Sequence, residues 1–283
     1  MMNRDHPAAA PVLELLVPGL LGPIPPAPDQ QPSTPTLDWL LARGKQCVSP
    51  RGGLDAALLA RFAADASAPY CLAVDDPDWD RTGFFLHAEP VHLRPDRDLL
   101  RLFDARHLDI SAAEAKALVA ALNHHFAADG LRFSAPGASR WYLHCEQPPA
   151  LQTRPLADAV GRHIDGLLPS GPDAARWASL MTEAQMLLFQ TPVNQRREAA
   201  GRPAVNGLWI WGGGVWGRPS APDLPQRLLI EQRASSAPLA AGLAAAAGVA
   251  VEGIETGSLS YAVDTLMVWD RLQEPTEEDA ALP

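Results

Sequence analysis

Cysteine, C-terminal histidine, long apolar runs and positive charge are all scarce in this chain of 283 residues. The three cysteines, Cys47, Cys71 and Cys145, are widely spaced, and none belongs to a CxxC or CxxH pair. Such spacing supplies neither a zinc site nor a disulfide framework, and a reducing, cytoplasmic setting is expected. The apolar run at 12–17 is interrupted by Glu14 and ended by Pro18, too short for a signal peptide, and no run reaches membrane-spanning length. No membrane association is therefore expected. A formal charge of −10 argues against nucleic acid as a direct partner, because phosphate-backbone binding relies on a basic surface. GxSxG elbows, P-loops, kinase signatures and HExxH helices are missing as well. Eight histidines are present, and none follows His163. No metal ligand set and no cofactor are expected.

What remains is an ordinary globular composition, 47% hydrophobic and 20% charged, with 28 prolines concentrated at 18–35 and 219–238. Strands are predicted at 12–17, 70–74, 88–93, 131–133, 140–146, 206–211, 228–231 and 265–269. Helices are predicted at 37–43, 54–66, from the capping box Ser111-Ala112-Ala113-Glu114 onward, from Pro172 through 188, and at 238–247. The helix after Pro172 has Trp177, Leu180, Met181, Ala184 and Leu188 as its buried stripe, with Met181 and Met186 as core or near-core fillers. Strands alternating with helices mark an α/β or α+β protein. The chain reads as a single α/β unit over 1–283, with a subdivision into 1–86, 87–214 and 215–283.

The densest polar stretch runs from 185 to 214. It sets Asn194, Arg196, Arg197, Arg202 and Asn206 beside Trp209, Trp211 and Gly212-Gly213-Gly214. Amides and guanidinium groups recognise anions and main chain, and glycines let a ligand or another chain come close. Candidate ligand-binding residues are Arg154, Asn194, Arg197, Asn206, Trp209, Trp211, Gly212 and Gly214. Two alternatives stay open: the asparagines tie turns to backbone, and the arginine cluster caps a helix end. Gly212 to Gly217 satisfies GxGxxG after a strand, but Pro219 and Pro222 forbid the helix a dinucleotide site requires. The glycines are read as serving a tight turn or close packing against Trp209 and Trp211. On the strand at 140–146, Trp141, Leu143 and Cys145 share one face, and Tyr142, His144 and Glu146 the other. That makes His144 the candidate for acid–base work. The acidic turn at 75–80 imitates a calcium loop, but Arg81 and His87 stand where Gly and Glu belong, so it reads as a solvated loop. Thr153-Arg154-Pro155 and Leu168-Pro169-Ser170-Gly171 are turn-forming, and each is a candidate pocket wall.

Several motifs together resemble the RpfE-type bacterial regulatory proteins. They are Glu89-Pro90-Val91-His92-Leu93, Leu122-Asn123 with Phe126, Trp141-Tyr142-Leu143, Leu168-Pro169 with Gly171, Trp177, Glu183 with Gln185 to Leu188, and Pro192-Val193-Asn194 through Gly214. The segment from Pro192 to Gly201, followed by Asn206, Trp209, Trp211, Gly212 and Gly214, is also similar to part of the archaeal-type cofactor-independent phosphoglycerate mutases. So is Thr34-Pro35-Thr36-Leu37-Asp38 through Gly44. This resemblance implies a degenerate alkaline-phosphatase-like α/β fold, with a mixed sheet flanked by helices.

Those mutases move a phosphoryl group through a Ser or Thr beside two metal ions. Their first strand ends in a metal-binding Asp-Gly, where this chain has Pro18-Gly19, and Asp264 and Asp270 alone cannot replace the rest of the set. The reading is a non-catalytic regulatory protein whose partner is a phosphorylated small molecule or a protein. The alternatives are a phosphate-ester enzyme built around Arg154, Arg197 and His144, and a protein-interaction module anchored by Trp209, Trp211 and Trp216.

Overall fold

The computed structural model describes residues 10–18, 20, 34–47, 53–230, 237–254 and 262–269. In chain order its elements are β1 (Leu13–Leu16), α1 (Pro35–Arg43), α2 (Gly53–Phe62), α3 (Ala68–Asp75), β2 (Phe84–Asp96), β3 (Leu99–Phe103), α4 (Ala112–His125), β4 (Leu131–Ser134), β5 (Tyr142–Cys145), α5 (Ala174–Phe189), α6 (Pro192–Ala199), β6 (Gly207–Val215), β7 (Arg227–Ile230), α7 (Ala237–Ala247), β8 (Ala250–Gly253) and β9 (Thr265–Val268). They form a mixed α/β fold with one parallel and one antiparallel sheet, flanked by helices.

The parallel sheet runs β1-β9-β7-β8. Its central strands are continuous apolar runs, Leu228-Leu229-Ile230 and Leu266-Met267-Val268, and all six residues are buried, as parallel strands covered on both faces require. The alanine-rich α7 lies in the same core, with Leu239, Leu243 and Ala244 among Leu228, Ile230, Leu266 and Val268. At Gly242 a Cβ would collide with the carbonyl oxygen of Tyr70. That glycine lets α7 and α3 meet at backbone distance.

The antiparallel sheet is organised around β2, whose 13 residues pair with β6 along one edge and with β5 and then β3 along the other. Two prolines survive inside this central strand because neither faces a partner. The Ala88 N–H donates to the Trp141 carbonyl, so Pro90 faces the same side, in the interval between the end of β5 and the start of β3. Pro95 faces the β6 side, beyond the point where β6 ends. One face of this sheet packs Leu86, Ala88, Trp141, Leu143, Leu208 and Ile210 against α4 and α5. The other sends Phe85 and Tyr142 into the core shared with α2, α3, α7 and the parallel sheet.

Residues 70–74 are helical, not a strand. Ser67 sits at the N-cap of α3, Pro69 fits its first turn, and the apolar run is buried through Leu72; length and periodicity do not separate a buried helix from a strand there. Met186 is 60% exposed, so it is no core filler. It lies off the Trp177, Ala184 and Leu188 stripe that α5 buries. Asp75 is not part of a solvated loop: it accepts two bonds from Arg140, at 2.7 and 2.6 Å, and one from the Tyr142 hydroxyl at 2.6 Å. No described helix is long and apolar enough to cross a membrane.

Candidate functional site

Where α2, the turn into α3, the start of β2, the middle of β6 and the 149–155 loop converge, the protein forms a half-open cavity of about 280 Å³. Its formation follows from an irregularity in β6. Phe85 pairs with Gly214 and His87 with Trp211, so Gly212 and Gly213 together oppose Leu86 alone. This is a β-bulge, and Gly212 takes φ +64, the left-handed conformation that glycine adopts without strain. A Cβ there would also run into the Ser67 hydroxyl and come within 3.0 Å of His87 Cδ2. The glycine run is thus neither a hairpin turn nor a dinucleotide loop. It is paired strand, bulged so that Ser67 and His87 fit behind it.

Ser67 and His87 form a buried polar pair beside this wall. Ser67 occupies the N-cap of α3, but its hydroxyl does not cap the helix; it meets His87 Nε2 at 3.2 Å. The His87 ring stacks on Trp211 with centroids 4.3 Å apart. Burial pushes the His87 pKa down to about 3, so the imidazole is neutral. Trp211 Nε1 donates to Glu89 at 2.7 Å, and burial pushes that carboxyl up to about 7, against the opposing effect of the Trp211 bond.

A hydroxyl on a neutral imidazole has the order of a nucleophile–base pair. The resemblance stops there. An imidazole held near 3 is a weak base, and His87 Nδ1 has no hydrogen-bond partner among the described residues to orient the ring. Ser67 and His87 are better suited to shaping the wall than to proton transfer.

The polar segment upstream is spent on the scaffold. Asn194 is fully buried; its amide donates to the Leu188 and Val205 carbonyls, both at 2.8 Å, and accepts from Val205 N–H at 2.9 Å. Asn206 acts likewise toward Leu93 N–H and carbonyl, extending β2 past the end of β6. Arg197 is wholly enclosed and donates to the Pro203 carbonyl, the Leu108 carbonyl and Glu114. Glu114, the capping-box residue of α4, also accepts from Arg202 at 2.7 Å. Burial alone would raise the Glu114 pKa, but the Ser111 donors and Arg197 hold it down at about 2.

Of the residues singled out from sequence, Trp211 and Gly212 line the cavity, as do Thr153 and Pro155 on either side of Arg154. Arg154 offers its carbonyl to Trp209 Nε1 at 2.9 Å. Gly214 lies farther along the strand, against Ala66. His144 lies outside the wall, packed on Phe85, with its pKa lowered by burial and then by Arg132. Arg154, Arg197 and His144 have separate surroundings and make no common centre. Trp209 and Trp211 are buried, and Trp216 is half-buried against Tyr70, so two of the three anchors of the interaction-module reading are core residues. Ser67, His87 and Glu89 are not among the site residues read from sequence. A signal was present for the last two: polar His87 and Glu89, two residues apart, in the otherwise apolar run Phe84 to Val91.

Among the described residues no three His, Cys, Asp or Glu side chains gather as metal ligands. The cavity wall supplies two carboxylates, Asp55 and Asp65, and no imidazole. Two-metal phosphoryl transfer needs several such ligands on each ion at once, and these residues do not fit it.

No protein-family model matches the chain. It is 27% identical over 199 residues to a 2,3-bisphosphoglycerate-independent phosphoglycerate mutase of Methanosarcina mazei, covering 65% of this chain and 49% of that one. Against the enzyme of the same description from Methanosarcina barkeri it is 28% identical over 250 residues, 82% of this chain and 60% of the relative. The cofactor-independent phosphoglycerate mutase structure of Thermoplasma acidophilum aligns with 78% of this chain and 64% of its own, at 17% identity and a TM-score of 0.38. The chain spans about half the length of the curated relatives it matches. By sequence it is distantly related to the phosphoglycerate mutases that work without 2,3-bisphosphoglycerate.

Proposed function

We propose that this protein is a ligand-binding relative of the phosphoglycerate mutases that performs no mutase chemistry and acts, as the RpfE-type resemblance implies, in regulation. The observation that carries the proposal is the half-open cavity at the β6 bulge, assembled from five segments of the chain. Concave, mostly apolar pockets with a few convergent polar groups are the usual form of a small-molecule site. The absence of a converging ligand set among the described residues supports binding over two-metal catalysis.

The test is a thermal-shift screen of metabolites and divalent ions, run in parallel on the native chain and on Ala56→Trp. Ala56 lines the cavity, and the indole fills it. A ligand of the native state raises Tm by mass action. The proposal expects a compound that raises the Tm of the native chain and leaves Ala56→Trp unmoved. Equal stabilisation of both proteins would place the site elsewhere and overturn it.

A further inference from the structure

We propose that the outward face of α5 docks a second copy of this chain, forming a two-fold pair of antiparallel helices. A helix laid on a core ordinarily turns charged and polar side chains to solvent. Helix α5 buries Trp177, Ala184 and Leu188, and on the opposite side it presents Ala175, Ala178, Ser179, Thr182, Met186 and Phe189. Met186 is 60% exposed and Phe189 65%. The two hydroxyls turn back onto the helix: Ser179 donates to the Ala175 carbonyl at 3.3 Å, and Thr182 to the Ala178 carbonyl at 2.9 Å. The face is left largely apolar along its length, the form an interaction surface takes.

The face is graded in size, and the grading selects its occupant. Its first half is small, and a shallow groove runs over Ala178, Ser179, Thr182 and Glu183. Its second half projects Met186 and Phe189. A second copy running antiparallel sets the large half of each helix on the small half of the other, with the axis between Ser179 and Thr182. One patch then serves both partners, as a closed two-fold interface requires.

Charge makes the same choice. Arg176 and Glu183 are the ionisable side chains of α5, both exposed, about two turns apart on one flank of the face. Glu183 lies 3.6 Å from His125 Nε2 and points to no buried partner. A two-fold axis across antiparallel helices brings each flank against the same flank of the other copy. Arg176 therefore meets Glu183 of the second copy, and symmetry makes that pair twice. The pairing matters because two copies of a chain carrying −10 otherwise repel. The 16 residues of α5 span about 24 Å, which puts the contact at the small end of specific interfaces and makes the association weak.

Sedimentation equilibrium of the full chain, at concentrations up to about 0.5 mM, tests this. A reversible monomer–dimer equilibrium is expected. The Met186→Ser, Phe189→Ser double variant is expected to stay monomeric throughout. Arg176→Glu alone and Glu183→Arg alone each turn both pairs repulsive and are expected to weaken dimerisation about tenfold. Mixing those two variants is expected to restore it, because the mixed dimer regains both pairs. Circular dichroism confirms that each variant is folded; all four positions are exposed. A native chain that is monomeric at every concentration overturns the proposal and leaves this face to a different partner. A dimer that survives Met186→Ser, Phe189→Ser, or charge variants that do not recover on mixing, also overturns it.

Discussion

The stretch from Asn194 to Gly214 divides into two halves that do opposite things. In the first, the buried polar side chains turn inward to main chain: Asn194 to Leu188 and Val205, Arg197 to Leu108 and Pro203, Asn206 to Leu93. In the second, the side chains shrink to glycine, the strand bulges, and Trp211 and Gly212 face a cavity. A residue rich in donors is therefore a poor guide to a ligand site when it sits at 0% exposure, as Asn194 and Arg197 do. The residue with nothing to donate, Gly212, is the one that makes room.

The sharpest way to break this comparison is to treat Arg197 as a ligand residue. As scaffold, Arg197→Ala leaves two carbonyls without their donor and removes one partner of Glu114, which keeps Ser111 and Arg202, and should cost about 2–4 kcal/mol in urea unfolding. Arg197→Lys should not restore the loss, because a single ammonium cannot serve three acceptors in a fork. A loss below about 0.5 kcal/mol, the scale of a surface substitution, would contradict the scaffold role. Asn194→Ala leaves two carbonyls and one N–H unpaired and should cost about 2–4 kcal/mol, with cavity binding measured on the folded fraction unchanged.

Buried His87 and partly buried Glu89, beside the cavity, make a pH prediction with opposite signs. The His87 pKa is lowered to about 3, so its contribution is whole above about pH 6.5 and falls as pH drops toward 3. The Glu89 pKa is raised to about 7, so its contribution is whole below about pH 4.5 and is lost as pH rises through 7. Between pH 4.5 and 6.5 the two slopes oppose each other. Glu89→Gln should expose the His87 slope, with stability falling about 2–3 kcal/mol from pH 6.5 to 4.5. His87→Gln should expose the reverse slope, about 1–2 kcal/mol over the same range, reduced because Glu89 keeps some exposure. Equilibrium unfolding across that range checks both. Parallel, unchanged profiles in the two variants would refute the assignment of either group. The Glu114 contribution does not intrude, since its depressed pKa makes it vary only below about pH 4.5.

Much of the fold was legible because local signals and tertiary packing agree. The capping box at Ser111 starts α4, where Ala115, Leu118, Val119, Leu122 and Phe126 are buried, and the alternation of Trp141 with Tyr142 splits β5 between two cores. Helix α3 was missed because a buried helix of eight residues has no polar face to give it a period. Strand β8 was missed for the reverse reason: Ala250 to Glu252 are exposed and carry no alternation. The cavity was only half legible. Trp211, Gly212 and the turn around Arg154 stood out, whereas Asp55, Ser67 and His87 come from segments far away in sequence, and only the bulge brings Ser67 and His87 together behind Gly212.

The central proposal is that this distant relative of the phosphoglycerate mutases has a ligand cavity and does not carry out the two-metal reaction. It is tested most directly by incubating the purified protein with 3-phosphoglycerate and manganese or magnesium and following the phosphoryl position by phosphorus NMR. The account predicts no conversion above the protein-free control. Conversion that is lost in Ala56→Trp, while that variant remains folded, would contradict it.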